Sequence, residues 1–142
     1  MKIIVDTNIV FSGLLNTNSA IGELLINSKS SFEFYSCNYM RFEIQKHWEK
    51  IKKISKLSDQ QLNDAQHRLF LRLKFVDEDS IPETIWKKSL NLTKDIDVND
   101  TDFVALTLYL KGILCTGDKE LYTGLKNQNF KEVCNTFDLV SL

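Results

Sequence analysis

Four acidic residues lie at positions that a fold of alternating strands and helices would bring together: Asp6, Glu43, Asp100 and Asp118. Asp6 directly follows the apolar run of residues 3–5, and Asp118 follows the apolar run of residues 113–115 after Thr116 and Gly117. Carboxylate oxygens without a histidine or cysteine cluster favour a hard cation, Mg²⁺ or Mn²⁺, over zinc. Such a cation activates water and stabilises the charge that develops on a phosphodiester during displacement. These residue types therefore indicate phosphodiester hydrolysis.

Each acid also has a structural explanation. Asp100, Asp102 and Asp118 precede predicted helices, where capping and the helix dipole favour a carboxylate by about 0.3 to 2 kcal/mol. Asp6 differs, because an acid beside a buried strand needs polar partners and no capping box follows it. The neighbours Thr7 and Asn8 could supply those partners. Four carboxylates in one pocket would repel by about 4 kcal/mol per pair at about 4 Å, so the arrangement predicts a neutralising cation.

Strands that alternate with helices are the elements that must position these acids. Buried strands are predicted at residues 2–5, 32–37 and 113–115, with a further strand at 132–134. Helices are predicted at residues 9–15, 21–26, 40–51, 58–73, 80–92, 103–110 and 119–125, and residues 137–142 close the chain. Glu43 is placed in the first turn of the helix after the second strand. This order predicts an α/β fold with right-handed crossovers and a mainly parallel sheet between helices.

Two helices carry detailed sequence signals. Met40, Ile44, Trp48 and Ile51 form one apolar stripe, with Glu43, His47 and Lys50 on an adjoining face. Ser58 and Gln61 form a capping box that opens the next helix, whose buried stripe is Leu62, Ala65, Leu69 and Leu73. Gly112 is predicted to end the helix of residues 103–110.

The bulk properties indicate one domain that spans residues 1–142. The chain is 43% hydrophobic with one proline, so we expect a packed core and no disordered tail. Its three cysteines are odd in number and widely spaced, which is typical of reduced, buried thiols. The first apolar run is too short for a signal peptide or a membrane span, so we expect a cytoplasmic protein without membrane contact.

Positive charge is local, since the net charge of the chain is −1. A basic stretch begins at Arg41 and includes Lys46 and Lys50, with His47 one helical turn after Glu43. This face is as well explained by a solvated basic helix as by a track that binds RNA. For His47, a packing or surface role is a simpler explanation than contact with substrate or orientation of Glu43.

Four segments of the chain together resemble the successive acidic motifs of PIN domains: M-K-I-I-V-D-T-N-I-V, S-C-N-Y-M-R-F-E-I-Q-K-H, D-V-N-D-T-D-F-V-A-L-T-L and C-T-G-D-K-E-L. The resemblance covers essentially the whole chain, in the expected order. It implies a three-layer α/β/α nuclease with a parallel, five-stranded sheet. It also implies four metal ligands, in chain order Asp6, Glu43, Asp100 and Asp118. Asn8 and Thr116 match positions that shape the site by hydrogen bonding.

The third acidic motif stays ambiguous, because Asp97 and Asp102 compete with Asp100 for it. Alignment of the apolar segment after Asp102 with the family's helix selects Asp100 and leaves the other two as auxiliary. The resemblance further implies a ribonuclease that uses Mg²⁺ or Mn²⁺. Many small members are toxins of toxin–antitoxin pairs, so an antitoxin partner is implied by analogy, and dimers are common in the family.

Two other functions stay open on the sequence. The first is a catalytically silent PIN fold that binds RNA or protein through the basic stretch. The second is a phosphoacceptor domain of flavodoxin-like topology, which expects a tight acidic pair at the first strand. Asp6 has no acidic neighbour, so the sequence favours the nuclease over the phosphoacceptor domain.

Overall fold

A five-stranded sheet organises the computed structural model, which describes residues 1–16, 18–27 and 31–140. The strands are β1 Lys2–Val5, β2 Glu33–Cys37, β3 Leu73–Val76, β4 Ile113–Cys115 and β5 Val133–Cys134. Their order is β3-β2-β1-β4-β5, and each neighbouring pair is parallel. The predicted α/β fold with a parallel sheet is confirmed.

Nine helices are found in the described part of the chain. They are α1 Thr7–Leu15, α2 Ala20–Asn27, α3 Asn38–Lys46, α4 Trp48–Ser55, α5 Asp59–Leu71, α6 Glu83–Thr93, α7 Thr101–Leu110, α8 Lys119–Asn127 and α9 Thr136–Val140. Two short 3-10 helices precede α6 and α7, at Glu78–Ser80 and Val98–Asp100. Residues 141–142, the end of the predicted closing segment, lie outside the described residues.

The strand order places a topological switch point beside β1. The chain moves from β1 to β2 to β3 in one direction, then returns to β4 and β5 on the other side of β1. Because crossovers between parallel strands are right-handed, this reversal places the later helices on the opposite face of the sheet from the earlier ones. In such sheets the crevice at the carboxyl ends of the strands, at the switch point, is where ligands bind.

The core explains why β1 is central. Ile3, Ile4 and Val5 are completely buried, as expected of a β-branched strand covered on both faces. Phe34 and Leu114, on the two neighbouring strands, are buried with them. The three cysteines are buried free thiols, as predicted. β1 is therefore a rigid base for whatever follows it.

Strand β3 is absent from the elements that the sequence predicts. The apolar period places Leu73 in the buried stripe of a helix, but α5 ends at Leu71 and Leu73 begins β3. The rest of the stripe, Leu62, Ala65 and Leu69, is buried as predicted, and the Ser58–Gln61 capping box is present. Leu73 is buried in either arrangement, so its hydrophobicity does not distinguish them. Leu73 is in a strand because of a tertiary contact: β3 pairs along the edge of β2.

The predicted helix of residues 40–51 is in fact two helices. The chain leaves helical geometry at His47, with φ −104° and ψ 16°, which separates α3 from α4. Met40, Ile44 and Ile51 are buried and Trp48 packs on the core, so the apolar stripe itself is correct. An apolar stripe shows which side is buried and does not reveal a break in the axis.

Helix α7 ends before Gly112, as predicted, and the Gly112 N–H donates to the Thr107 backbone oxygen at 3.1 Å. Helix α7 ends at Leu110, and Lys111 takes the left-handed conformation with φ 57°. A Cβ on Gly112 would lie 2.6 Å from Ile4 Cδ1 and 2.7 Å from the backbone oxygen of Lys2. Gly112 is therefore required by close packing against β1.

Membrane-spanning potential is limited to one bent pair of helices. No single helix of the described residues is long and apolar enough to cross a bilayer. The helices Thr7–Leu15 and Ala20–Ile26 reach that length and composition only when taken together, and they are bent by 104° relative to each other.

Candidate functional site

The four predicted acids come from four different elements of the fold. Asp6 follows β1 and Asp118 follows β4, on the two strands that flank the switch point. Glu43 lies in the second turn of α3, rather than the first turn that the sequence suggests. Asp100 ends the 3-10 helix before α7 and is the N-cap of α7. Elements that are far apart in sequence thus deliver one carboxylate each.

Asp6 is held in place by two hydrogen bonds. The Ile9 backbone N–H donates to Oδ1 at 3.0 Å, and the Thr116 hydroxyl donates to Oδ2 at 2.5 Å. Asp6 is only 2% exposed. It also caps helix α1, which the sequence does not predict, and its partners are not the expected Thr7 and Asn8 side chains. A capped, buried carboxylate has a fixed orientation toward the sheet edge.

Burial raises the pKa of Asp6 to about 6. The negative charges of Asp118 and Glu43 contribute to this increase, while the hydrogen bonds from Thr116 and Ile9 oppose it. Mutual repulsion of this kind requires that the three carboxylates lie near one another. Three of the predicted acids therefore share one electrostatic environment.

Thr116 connects two of the acids. Besides its bond to Asp6, its hydroxyl oxygen accepts the backbone N–H of Asp118 at 3.0 Å. Asp118 Oδ1 in turn accepts the N–H groups of Glu120 and Leu121 and so caps α8. Both of these bonds use Oδ1, so among the described residues Oδ2 is left for another ligand. Thr116 therefore holds both residues by hydrogen bonds, and its role in shaping a metal site stays a prediction.

Glu43 is held by Thr7, a residue that the sequence suggests as a partner for Asp6. The hydroxyl of Thr7 donates to Glu43 Oε1 at 2.5 Å, which joins the start of α1 to α3. The sequence suggests Thr7 only as a partner for Asp6. The only signal in the sequence is its position in the D-T-N segment, directly after the first acid.

Asp100 carries the most unusual polar atom of the site. Its Oδ2 is buried and has no hydrogen-bond partner in the described part of the protein. Burial, together with the charges of Asp97, Asp6, Asp118 and Glu43, raises the pKa of Asp100 to about 7. A buried carboxylate oxygen without a partner costs free energy, and a bound cation is one way to satisfy it.

The two competing acids differ from Asp100 in their surroundings. Asp97 is exposed and caps the 3-10 helix by accepting the N–H of Asn99 at 2.9 Å, although its charge acts on Asp100. Burial raises the pKa of Asp102, with further increases from Glu78 and Glu43. Asp102 thus faces a different neighbour from the other acids.

That neighbour belongs to a second cluster, formed by Cys37, Glu78 and Asp102. Their ligand atoms all lie within 4.8 Å of one another, and within the described ranges no three of the four predicted acids approach so closely. Glu78 uses both oxygens to accept the N–H groups of Asn38 and Tyr39, so it caps α3 from outside. Burial raises the pKa of Cys37 to about 12, which keeps it a neutral thiol. We interpret this cluster as a helix cap.

The four predicted RNA-binding residues lie in three different settings. The guanidinium of Arg41 lies 3.8 Å from the ring centroid of Phe75 and 5.4 Å from that of Phe70, on the outside of the fold. His47 and Lys50 instead line a groove of about 420 Å³ with Asn8. Lys46, in the last turn of α3, is exposed.

Asn8 links that groove to the acids. The residue is exposed on α1, and a Cβ on Gly117 would lie 3.8 Å from its Cβ, so Asn8 stands beside the segment that joins Thr116 to Asp118. The rings of His47 and Phe11 meet in a T-shaped arrangement in the same groove, with centroids 5.9 Å apart. The groove thus runs from the acidic edge toward α4.

Comparison with known proteins identifies the family of the chain. A sequence model of the PIN domain matches residues 4–138. The chain belongs to the PIN-domain family. Among solved structures, this PIN domain is similar to VapBC2 from Rickettsia felis bound to a DNA fragment from its promoter, with a TM-score of 0.68. The two chains are 17% identical, and the match covers 95% of this chain and 98% of the other, which shows a shared fold. A search of curated proteins gave no significant match.

Proposed function

We propose that this PIN domain is a divalent-metal-dependent endoribonuclease that hydrolyses phosphodiester bonds of single-stranded RNA. The observation that carries the proposal is the buried, unpartnered Oδ2 of Asp100 in the field of Asp6, Glu43 and Asp118. Carboxylates that repel one another and leave an oxygen unsatisfied form a site suited to a hard cation. Carboxylates with raised pKa values that share one environment are more typical of functional sites than of purely structural ones.

The residues present fit Mg²⁺ or Mn²⁺. Asp6, Glu43, Asp100 and Asp118 would hold it, and their all-oxygen chemistry matches either ion. Because no three of their ligand atoms in the described residues lie within 4.8 Å of one another, water would complete the coordination of a bound ion, as Mg²⁺ prefers. When bound, the ion lowers the pKa of water and stabilises charge on the phosphodiester.

The chain itself orients these ligands. Thr116 and the Ile9 N–H fix the two oxygens of Asp6, and Thr7 fixes one oxygen of Glu43. Because these carboxylates are already oriented, little conformational entropy is lost when a cation binds. Lys50 and His47 line one groove with Asn8, and we propose that they bind the RNA backbone on one side of the acids.

Cleavage of a single-stranded RNA tests the proposal. The purified protein is expected to cut with Mg²⁺ or Mn²⁺ and to stop with EDTA, and Asp118→Asn is expected to lose about a hundredfold or more of the rate. Asp64→Asn, an exposed aspartate on α5, is the matched control. Mn²⁺ should also raise the melting temperature of the wild type and not of Asp118→Asn. Cleavage that persists in EDTA would refute the proposal, and RNA binding without cleavage would favour the silent binding module.

We further propose that this chain is the toxin of a toxin–antitoxin pair, located in the cytoplasm. The support is the shared fold with VapBC2. Co-expression with the protein of the adjacent reading frame should suppress growth inhibition and yield a stable complex on gel filtration. Growth that is unaffected by the chain alone would contradict this role. The same chromatography tests the homodimer.

A further inference from the structure

A second cavity opens directly beside Asp118. It has a volume of about 430 Å³ and lies between the first turns of α8 and the short helix α9. Asp118 and Thr116 form one wall, and the rings of Tyr122 and Phe137 form others. The volume falls within the range of small-molecule sites, which is about 300 to 1,000 Å³. We name this cavity the α8–α9 pocket.

The α8–α9 pocket presents aromatic rings to solvent. Phe137 is 77% exposed, the largest exposure of any large hydrophobic side chain in the described residues. Tyr122 is half-buried beneath Lys126, whose ammonium lies 5.5 Å from the ring centroid. Exposed rings next to positive charge are the features on which unpaired bases stack in proteins that bind single-stranded nucleic acids.

Polar groups stand at the edge of the same pocket. Asn135 Oδ1 accepts the N–H of Asp138 at 2.8 Å, and Asp138 Oδ2 accepts the N–H of Asn135 at 3.2 Å. This reciprocal cap fixes the Asn135 amide, and its NH₂ group has no partner among the described residues. A base carbonyl or ring nitrogen is an acceptor for such a donor. Lys119, exposed on the first residue of α8, also lines the pocket and can pair with a phosphate.

We propose that the α8–α9 pocket binds one unpaired nucleobase of the RNA, next to the bond that is cut. This inference rests on the proposed ribonuclease function, because Asp118 belongs both to the pocket wall and to the candidate metal site. A base within a duplex is stacked and cannot enter, so the pocket selects single-stranded substrate. The ring of Phe137 supplies stacking, and Asn135 reads the edge of the base.

Binding in EDTA tests the pocket without any cleavage. The two probes are a short oligouridylate and an abasic ribose-phosphate chain of the same length. The wild type is expected to prefer the oligouridylate, and Phe137→Ala should reduce that preference about tenfold. Phe137→Trp should restore the preference, with quenching of the new tryptophan's fluorescence. Leu71→Ala is the matched control, since Leu71 is 71% exposed and lies just before β3, at the opposite edge of the sheet.

The outcomes separate the pocket from the ribonuclease function. Equal preference in the wild type and Phe137→Ala would overturn the pocket. So would an equal loss of affinity for both probes, because the ring would then act on something other than a base. If the protein cuts RNA but Phe137 has no effect on the preference, the ribonuclease function is supported and the pocket is refuted. If the preference depends on Phe137 but the protein cuts no RNA, the nucleobase pocket is supported and the ribonuclease function is refuted.

Discussion

The hydroxyl of Thr116 donates a 2.5 Å hydrogen bond to Asp6 Oδ2, and so ties the end of β4 to the end of β1. The same oxygen accepts the N–H of Asp118. One threonine therefore fixes the relative position of two of the four proposed metal ligands. The contact spans 110 residues of sequence and exists only because β1 and β4 are neighbours.

Thr116→Val should separate metal binding from general stability. Removal of the hydroxyl leaves Asp6 buried with one hydrogen bond fewer, so its pKa should rise further and its affinity for Mn²⁺ should fall about ten- to a hundredfold. Isothermal titration with Mn²⁺ measures the effect. Thr107→Val is the control, because Thr107 is equally buried and its hydroxyl bonds to Phe103 within α7. A similar loss of Mn²⁺ affinity in both variants would count against a specific role for Thr116.

The metal-free protein should lose stability as pH rises. Asp6 and Asp100 have pKa values of about 6 and about 7, raised from an ordinary value of 3.8, so the folded state binds protons more tightly than the unfolded chain. The free energy of unfolding should therefore fall between about pH 4 and pH 7, by roughly 3 kcal/mol from Asp6 alone. Urea denaturation in EDTA across this range checks the sign. A profile that rises over the same range would contradict the proposed burial of charge.

Asp100→Asn should stabilise the metal-free protein while it abolishes activity. At pH 8 the wild-type carboxylate is charged, buried and repelled by its neighbours, whereas asparagine carries no charge. We expect a gain on the order of 1 to 3 kcal/mol in the free energy of unfolding, and a smaller gain at pH 5. Asp64→Asn, on the exposed face of α5, should change stability little at either pH. A destabilised Asp100→Asn protein at pH 8 is the result that would not fit.

Gly112→Ala should destabilise the fold through a steric clash with β1, and not through backbone conformation. The added Cβ would lie 2.7 Å from the Lys2 backbone oxygen, which cannot move without disturbing β1. A loss of about 1 to 3 kcal/mol is expected from urea denaturation. Gly117→Ala is the matched control, because its Cβ would meet its nearest neighbours at 3.8 Å, an ordinary contact distance. Equal stability of the two variants would show that β1 and Gly112 are not so closely packed.

RNA binding should respond differently to substitution of Lys50 and of Arg41. Lys50→Ala should weaken RNA binding and reduce its salt dependence by about one phosphate contact, because Lys50 lines the groove near Asn8. Arg41→Ala should leave RNA binding unchanged and cost about 0.5 to 2 kcal/mol of stability, since its guanidinium covers Phe75. Fluorescence anisotropy at several salt concentrations distinguishes the two. Weakened RNA binding in Arg41→Ala would instead extend the nucleic-acid surface to that side.

The sequence by itself determined the elements whose pattern is local. The buried β1 and β4, the Ser58–Gln61 capping box and the apolar stripe of α3 and α4 all follow from residues close together in the chain. Hydrophobic period and capping chemistry are set over a few residues, so one sequence suffices to find them. The order of the four acids along the chain also indicates the PIN-domain family, and the match over residues 4–138 confirms that family.

Tertiary structure decided what depends on partners distant in sequence. Leu73 lies in a strand because β3 pairs with the edge of β2. Glu78 caps α3 because its side chain accepts the N–H groups of Asn38 and Tyr39. The bond from Thr116 to Asp6 and the unpartnered oxygen of Asp100 likewise appear only when the strands are assembled. A hydrogen bond or a desolvated charge is a relation between groups in space, and the sequence around either group alone does not contain it.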